Sequence, residues 1–292
     1  MDAQWIDEFQ HALRVTAGGK KEGYYSDFNG ISNLAEAFNH GYVYHGQYSQ
    51  QRDKSFGADP AHNPGEQFVV FSQNHDQVGN RMLGERSSQL FSFEMQKLMA
   101  ATVFVSPFLP MLFMGEEYSE PNPFLYFVSH TEPELIEAVR KGRKEEFAAF
   151  HAEGEAPDPQ AEETFSNSKL SWHLLSQPPH QTMLEYYKAL INLRKKHPAL
   201  RIPDRDQGRA QANHESRVLS VFRSQAGSSV LCLLNFSKEE QQANVSQYLN
   251  SKIIFNSADR QWNGPVDQAN VRIDGSTIKL PPESIIILEQ HV

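Results

Sequence analysis

Only one cysteine, Cys232, occurs in 292 residues, which excludes an internal disulfide framework. It lies in the apolar run SSVLCLLNF, where a buried, inert thiol is the expected state. Basic charge is also short: 27 Lys and Arg face 36 Asp and Glu, giving a net charge of −9 with no basic block. Nucleic acid and anionic membrane both call for a positive footprint, so neither is expected as a partner. No apolar run approaches the roughly 18 residues that cross a bilayer. The opening MDAQWIDEFQ has no basic stretch leading into an apolar one, so no secretion signal is expected and cytoplasmic residence is the default. There is no Gly-rich phosphate loop, no zinc-type Cys/His spacing, no internal repeat and no low-complexity tract. No cofactor and no metal are therefore expected. Aromatic residues are plentiful at 11%, which is compatible with a neutral sugar substrate.

Helical signals come first among what is present. Residues 92–105 carry Phe93, Leu98, Ala101 and Val105 and stop near Pro107. Thr131 with Glu134 forms a capping-box pattern ahead of ELIEAVRKGRKEEFAAF, and Thr182 with Glu185 repeats it ahead of YYKALINLRKK. That last helix should end at His197, because Pro198 follows. Residues 153–167 are acidic and proline-containing and read as a solvated loop.

Residues 68–71 and 111–114 are continuous apolar runs of the kind found in parallel strands covered on both faces, with DAQW as a possible third strand. Each run gives way to polar residues, SQNHD and GEE, where α/β barrels place their chemistry. Beyond about residue 202 the pattern changes to short strand-like runs separated by turn residues, the signature of a small antiparallel β domain. The expected fold is α/β: a partial (β/α)8 barrel over residues 1–203, followed by an antiparallel β-sandwich over 204–292. A whole barrel takes about 250 residues, more than the first segment offers.

Asn74, His75 and Asp76 are the leading site candidates. Three uses compete for them: two of a metal's ligands, a self-satisfied structural cluster, or a sugar site. In the last, the Asp76 carboxylate stabilises charge growing at an anomeric carbon, while His75 and Asn74 hold hydroxyls. Glu116 and Glu117 follow the second apolar run and invite pairing with Asp76 as a glycosidase's two carboxylates, although adjacent glutamates at a loop start are more often solvated. Phe124 to Phe127 can stack on sugar rings or fill a core. Arg81, Arg86, Arg140 and Arg143 are expected to pair with the protein's own carboxylates.

The stretch FSQNHDQVGNR resembles the fourth motif region of the α-amylase superfamily, glycoside hydrolase family 13. A longer ordered series resembles the malto-oligosyltrehalose trehalohydrolase family within it: DAQWIDEFQHALRV, GYYSDF, NHDQVGNRMLGER, PMLFMGEEY, PFLYFVSHTEPELIEAVRKGRKEEF and LINLRKKHPAL. Together these cover most of residues 1–200, and the segment after residue 205 matches in type and position only. The resemblance implies hydrolysis of the α-1,4 bond next to the trehalose end of maltooligosyl trehalose by a retaining mechanism. It makes Asp76 the transition-state-stabilising Asp and His75 the sugar-binding His. Asn74, Gln77, Arg81, Glu117 and Phe124 complete the candidate substrate-binding set, and no metal is implied. The family's nucleophile motif, Gly-Phe-Arg-x-Asp, is absent, as is its acid/base Glu segment. Glu116 and Glu117 fall in the strand-eight loop by this alignment and do not replace them. Gln10 stands where many relatives carry His. The chain is thus expected to be the carboxyl-terminal part, about barrel strands six to eight, inactive alone and partnered by the missing amino-terminal half. Alternatives are a branching enzyme or α-amylase of the same superfamily, or a non-catalytic carbohydrate-binding protein.

Overall fold

The computed structural model describes residues 2–19, 21–149, 156–267 and 271–291. Three short strands, Gln4–Trp5, Phe68–Val70 and Leu109–Pro110, form a parallel sheet in that spatial order. Gln4 faces Phe68, and Val69 and Val70 face Leu109 and Pro110. The third strand therefore lies earlier than the expected residues 111–114. Past the amide of Met111, which still donates to Val70 O at 2.9 Å, the pairing ends. The Met114 carbonyl is taken instead by the Arg86 guanidinium, and Leu112 and Met114 are exposed. A continuous apolar run does not by itself mark where a ladder stops.

Helix Asp7–Thr16 follows the first strand, with Phe9, Ala12 and Leu13 buried at helical spacing. Phe9 meets Phe38 of helix Ile31–His40 at 5.3 Å and Phe108 at 6.4 Å, so aromatic rings join these helices to the sheet. Helix Phe93–Val105 is buried along nearly its whole length, including Lys97. Helix His180–Lys196 buries Met183, Tyr186, Tyr187, Leu190 and Arg194 and stops before Pro198. It starts two residues ahead of Thr182, which is not its cap; the Thr182 hydroxyl accepts from Asn263 Nδ2. The remaining long helix, Pro133–Ala149, begins on a proline, whose missing N–H costs nothing at a first helical turn. Phe150, expected at its end, lies outside the described residues. So do residues 153–155 of the expected loop, whose later part includes helix Glu162–Asn167 with Thr164 buried.

The carboxyl-terminal segment forms two antiparallel sheets. The larger runs Lys252–Asn256, Ser284–His291, Ser228–Asn235, Val218–Gln225, Gly208–Asn213 in spatial order. The smaller contains Ile273–Asp274, Thr277–Leu280 and Gln241–Asn244. Val218, Leu231, Leu233, Ile286 and Leu288 of the first meet Ile278 and Leu280 of the second in one apolar core. Cys232 is fully buried on the central strand and its thiol pKa is pushed up to about 12 by desolvation, as an inert thiol requires.

The chain divides into two compact units: Met1–Ser72 with Phe93–Met111 and Thr182–Val292, and Gln73–Ser92 with Leu112–Gln181. The expected boundary at 203/204 falls inside the first of these. Two buried cations, Arg223 and Lys97, bridge it there, and a third, Arg194, ties its helix to residues 104–108 on the amino-terminal side. Arg223, on a β-domain strand, donates to Ser106 O at 2.9 Å and Ile202 O at 2.5 Å. Lys97 donates to Ser257 O at 2.7 Å and Trp262 O at 2.9 Å, and pairs with Glu94 at 2.8 Å. Arg194 donates to the carbonyls of Phe104, Ser106 and Phe108. Burial lowers the pKa of Arg194 to about 9 and of Arg223 to about 10, so both remain charged at neutral pH.

Candidate active site

The second unit begins at Gln73, directly after the central strand of the parallel sheet. Asn74 is the N-cap of the one-turn helix His75–Gly79. Its Oδ1 accepts from the Asp76 amide at 2.8 Å and the Gln77 amide at 3.4 Å, while Gln77 Oε1 accepts from the Asn74 amide at 3.0 Å. This reciprocal capping box uses the side-chain oxygens of two expected sugar-binding residues on the backbone itself. Asn74 is almost fully buried, and its Nδ2 has no hydrogen-bond partner among the described residues. The box leaves the next two side chains outward: His75 and Asp76 are 54% and 59% exposed, with Nε2 and Oδ1 3.2 Å apart. A carboxylate in that position is free to meet a ligand. At the other end of the turn, Arg143 Nη2 donates to Gly79 O at 2.9 Å, with its guanidinium over the Tyr126 ring.

The other candidates have protein partners of their own. Arg81 makes a two-pronged pair with Glu85, Nε to Oε2 at 3.1 Å and Nη2 to Oε1 at 3.2 Å, which holds the Glu85 pKa below its ordinary value despite partial burial. Glu117 Oε2 accepts from the Gly115 amide at 2.8 Å across a tight turn. Gly115 has φ +90°, and a Cβ there would stand 2.8 Å from Glu120 Cβ, so the turn depends on glycine. The Phe124 ring packs edge-on against Phe113 at 5.3 Å and Phe127 at 5.9 Å. Among the described residues, the hydrogen bonds and ion pair of Arg81 and Glu117 and the ring contacts of Phe124 do not include Asp76. Of the remaining arginines, Arg140 pairs with Glu137 and Asp158, Arg86 donates to the carbonyls of Asn122 and Met114, and Arg143 donates to that of Gly79.

A buried polar network went unnoticed in the sequence. Glu120, 1% exposed, accepts from the Tyr118 hydroxyl at 2.5 Å, the Asn122 amide at 2.8 Å and the Ser171 amide at 2.6 Å. Those bonds and the Arg86 charge hold its pKa below the usual value against desolvation, and the Tyr118 hydroxyl pKa is driven up. Arg86, equally buried, donates to Asn122 O and Met114 O at 2.8 Å each and lies over the Phe113 ring. Gln73 links Glu116 Oε2, at 3.3 Å, to the Ser87 amide at 3.0 Å. Three glutamates within five residues of an otherwise apolar segment were the one available signal. On the surface of this unit Trp172 is 61% and Tyr126 40% exposed, the first with one neighbour ring in Tyr118 and the second under the Arg143 guanidinium.

Malto-oligosyltrehalose trehalohydrolase from Rhizobium sp. (strain M-11) is 36% identical over 289 residues, which are 98% of this chain and 46% of the relative. The enzyme of the same name from Saccharolobus solfataricus is 44% identical over 197 residues, 68% of this chain and 33% of the relative. The chain belongs to the malto-oligosyltrehalose trehalohydrolase family. A solved structure from Salmonella typhimurium that carries an α-amylase name superposes with a TM-score of 0.84 at 34% identity, over 99% of this chain and 47% of that one. The α/β fold with antiparallel sheets is therefore part of an α-amylase-type architecture. No family model matches the chain. It spans a third to a half of the length of the trehalohydrolase relatives it matches.

Proposed function

We propose that this chain supplies the carboxyl-terminal part of a glycoside hydrolase that cleaves the α-1,4 bond next to the trehalose end of maltooligosyl trehalose. In this reading the three parallel strands are barrel strands six to eight, residues 204–292 form the accessory β domain, and the protein works in the cytoplasm. The observation that carries it is the half-exposed Asp76 carboxylate, set on a capped turn at the carboxyl end of the central strand beside His75. A retaining mechanism passes through oxocarbenium-like transition states, and a fixed carboxylate near the anomeric carbon stabilises the positive charge that develops there. His75, Asn74 through its unpartnered Nδ2, and Gln77 direct sugar hydroxyls. Arg81, Glu117 and Phe124 then shape the surroundings indirectly, since each is held by the chain itself.

The nucleophile and acid/base belong to segments outside these 292 residues, so the chain is inactive until a barrel partner completes the site. Two features support this. Neither family motif occurs in the sequence, and among the described residues the parallel sheet has three strands, with Gln4 and Trp5 exposed at one edge. The test is to co-express the chain with the missing barrel half and assay maltooligosyl trehalose. Release of free trehalose by the pair and not by the chain alone is expected. Turnover by the chain alone, or branched glucan or maltooligosaccharides as the only products, overturns the reading.

A further inference from the structure

Glu36, His40 and His45 come together on the first compact unit, in a place that the proposed hydrolysis does not use. Glu36 and His40 lie one turn apart on helix Ile31–His40, so both face the same side at its carboxyl end. The chain then reverses at Gly41, whose φ of +84° is open to glycine, and where a Cβ would come within 2.5 Å of the Phe68 ring. That reversal carries His45 back over His40. Their rings stack at 4.4 Å with 26° between planes, and both Nε2 atoms point to the same carboxylate oxygen.

The distances are informative. His40 Nε2 and His45 Nε2 each lie 3.5 Å from Glu36 Oε2, and the three donor atoms all fall within 4.8 Å of one another. Hydrogen bonds between such atoms close to about 2.7–3.2 Å, so 3.5 Å is too long. It is close to the edge of a tetrahedron around zinc, about 3.3 Å for metal–ligand bonds near 2.0–2.1 Å. His45 Nε2 is itself buried and has no hydrogen-bond partner among the described residues. A buried imidazole nitrogen left unsatisfied costs free energy that a ligated cation recovers.

We propose that Glu36, His40 and His45 bind a divalent transition-metal ion, with zinc the best fit. Two imidazole nitrogens and one carboxylate oxygen form a borderline donor set that suits zinc over the hard cations magnesium and calcium. Glu36 and His40 remain partly exposed, at 46% and 39%, so the fourth position is filled by water. The ion ties the end of helix Ile31–His40 to the segment after Gly41. That segment also supplies the Val43 and Tyr44 amides, which donate to Glu8 Oε2 at 2.7 and 2.8 Å and so anchor helix Asp7–Thr16. The bound metal is structural, a clasp on the packing around the parallel sheet.

The experiment titrates zinc into the full, chelator-treated chain by calorimetry, with magnesium as control, and repeats the titration with cobalt to record the visible bands of a tetrahedral ion. One zinc per chain, a melting temperature that rises with zinc occupancy, and tetrahedral cobalt bands are expected. His40→Ala and His45→Ala should lose all three, and Glu36→Gln, nearly the same shape, should weaken binding while keeping the far-ultraviolet dichroism of the parent. Absence of stoichiometric zinc binding by the folded parent overturns the proposal. So does undiminished binding in the His40→Ala/His45→Ala pair, or in Glu36→Gln should the alanine variants not fold.

Discussion

The two compact units solve the problem of buried charge in different ways. The first is built of sheets and long helices. Its buried cations Lys97, Arg194 and Arg223 reach carbonyls far away in sequence, and they stitch segments together. Among its described residues the second has turns, short helices and one long helix, Pro133–Ala149. Its buried Glu120 and Arg86 bind backbone within about fifty residues and shape loops. Long-range bonding yields a rigid scaffold, and local bonding yields loops that can present side chains outward, as the Asn74 box does for His75 and Asp76.

That contrast can be broken or sharpened by mutation. The largest effect is expected from Asp76→Asn in the completed enzyme: a loss of trehalose release on the order of 10²- to 10³-fold, the scale of removing one electrostatic stabiliser, with no change in melting temperature. Near-normal turnover would remove Asp76 from the mechanism. Next, Lys97→Met should destabilise the first unit by about 2–4 kcal/mol in denaturant unfolding, because it leaves Ser257 O, Trp262 O and Glu94 without their cation. A cost below that of an ordinary surface change would show that the carbonyls find other donors.

The third prediction separates the units by pH. His11, between the Tyr25 and Phe28 rings, has its pKa lowered by burial from 6.5 to about 4. The unfolded chain therefore binds a proton first, and the stability tied to neutral His11 is complete above pH 6.5 and drains away as pH falls toward about 4. Glu120 has a folded pKa below its ordinary 4.5, so its contribution is complete above that value and is lost only in more acid solution. His11→Phe should flatten the first limb, and Glu120→Gln the second, in melting temperatures recorded against pH. Equal slopes in parent and His11→Phe between pH 6.5 and 4 would contradict the assignment. The smallest effect is expected from Asn74→Ala, about 1 kcal/mol for a lost N-cap, seen as faster amide exchange over residues 75–80.

Much of this arrangement was legible in advance. The Asn-His-Asp turn, the buried helix at 93–105 and the strand runs of the β domain follow from local pattern, because apolar spacing and turn residues are local quantities. Two polar strands, Gly208–Asn213 and Gln241–Asn244, escaped notice because they carry few apolar residues to alternate. The Glu120 network escaped for a different reason: its acceptor meets amides of Asn122 and Ser171, and no side-chain pattern records a backbone partner. Arg81 does pair with a carboxylate of the chain, as its residue type suggests, and that partner is Glu85, four residues on; only the family resemblance sets it against substrate. Glu36, His40 and His45 were invisible to a search for cysteine-rich spacing, since Gly41 alone brings the loop histidine back to the helix.

Ser106 receives two guanidinium groups on one carbonyl, Arg194 from helix His180–Lys196 and Arg223 from strand Val218–Gln225. Three residues later the chain enters the last parallel strand, whose loop carries Glu116, Glu117 and Glu120. The β domain has no diagnostic motif of its own, yet it cannot be treated as an exchangeable module. Grafting another family member's β domain onto this chain would succeed only if the donor brings an arginine to the Arg223 position, so during recombination between relatives the two segments should be inherited as a pair.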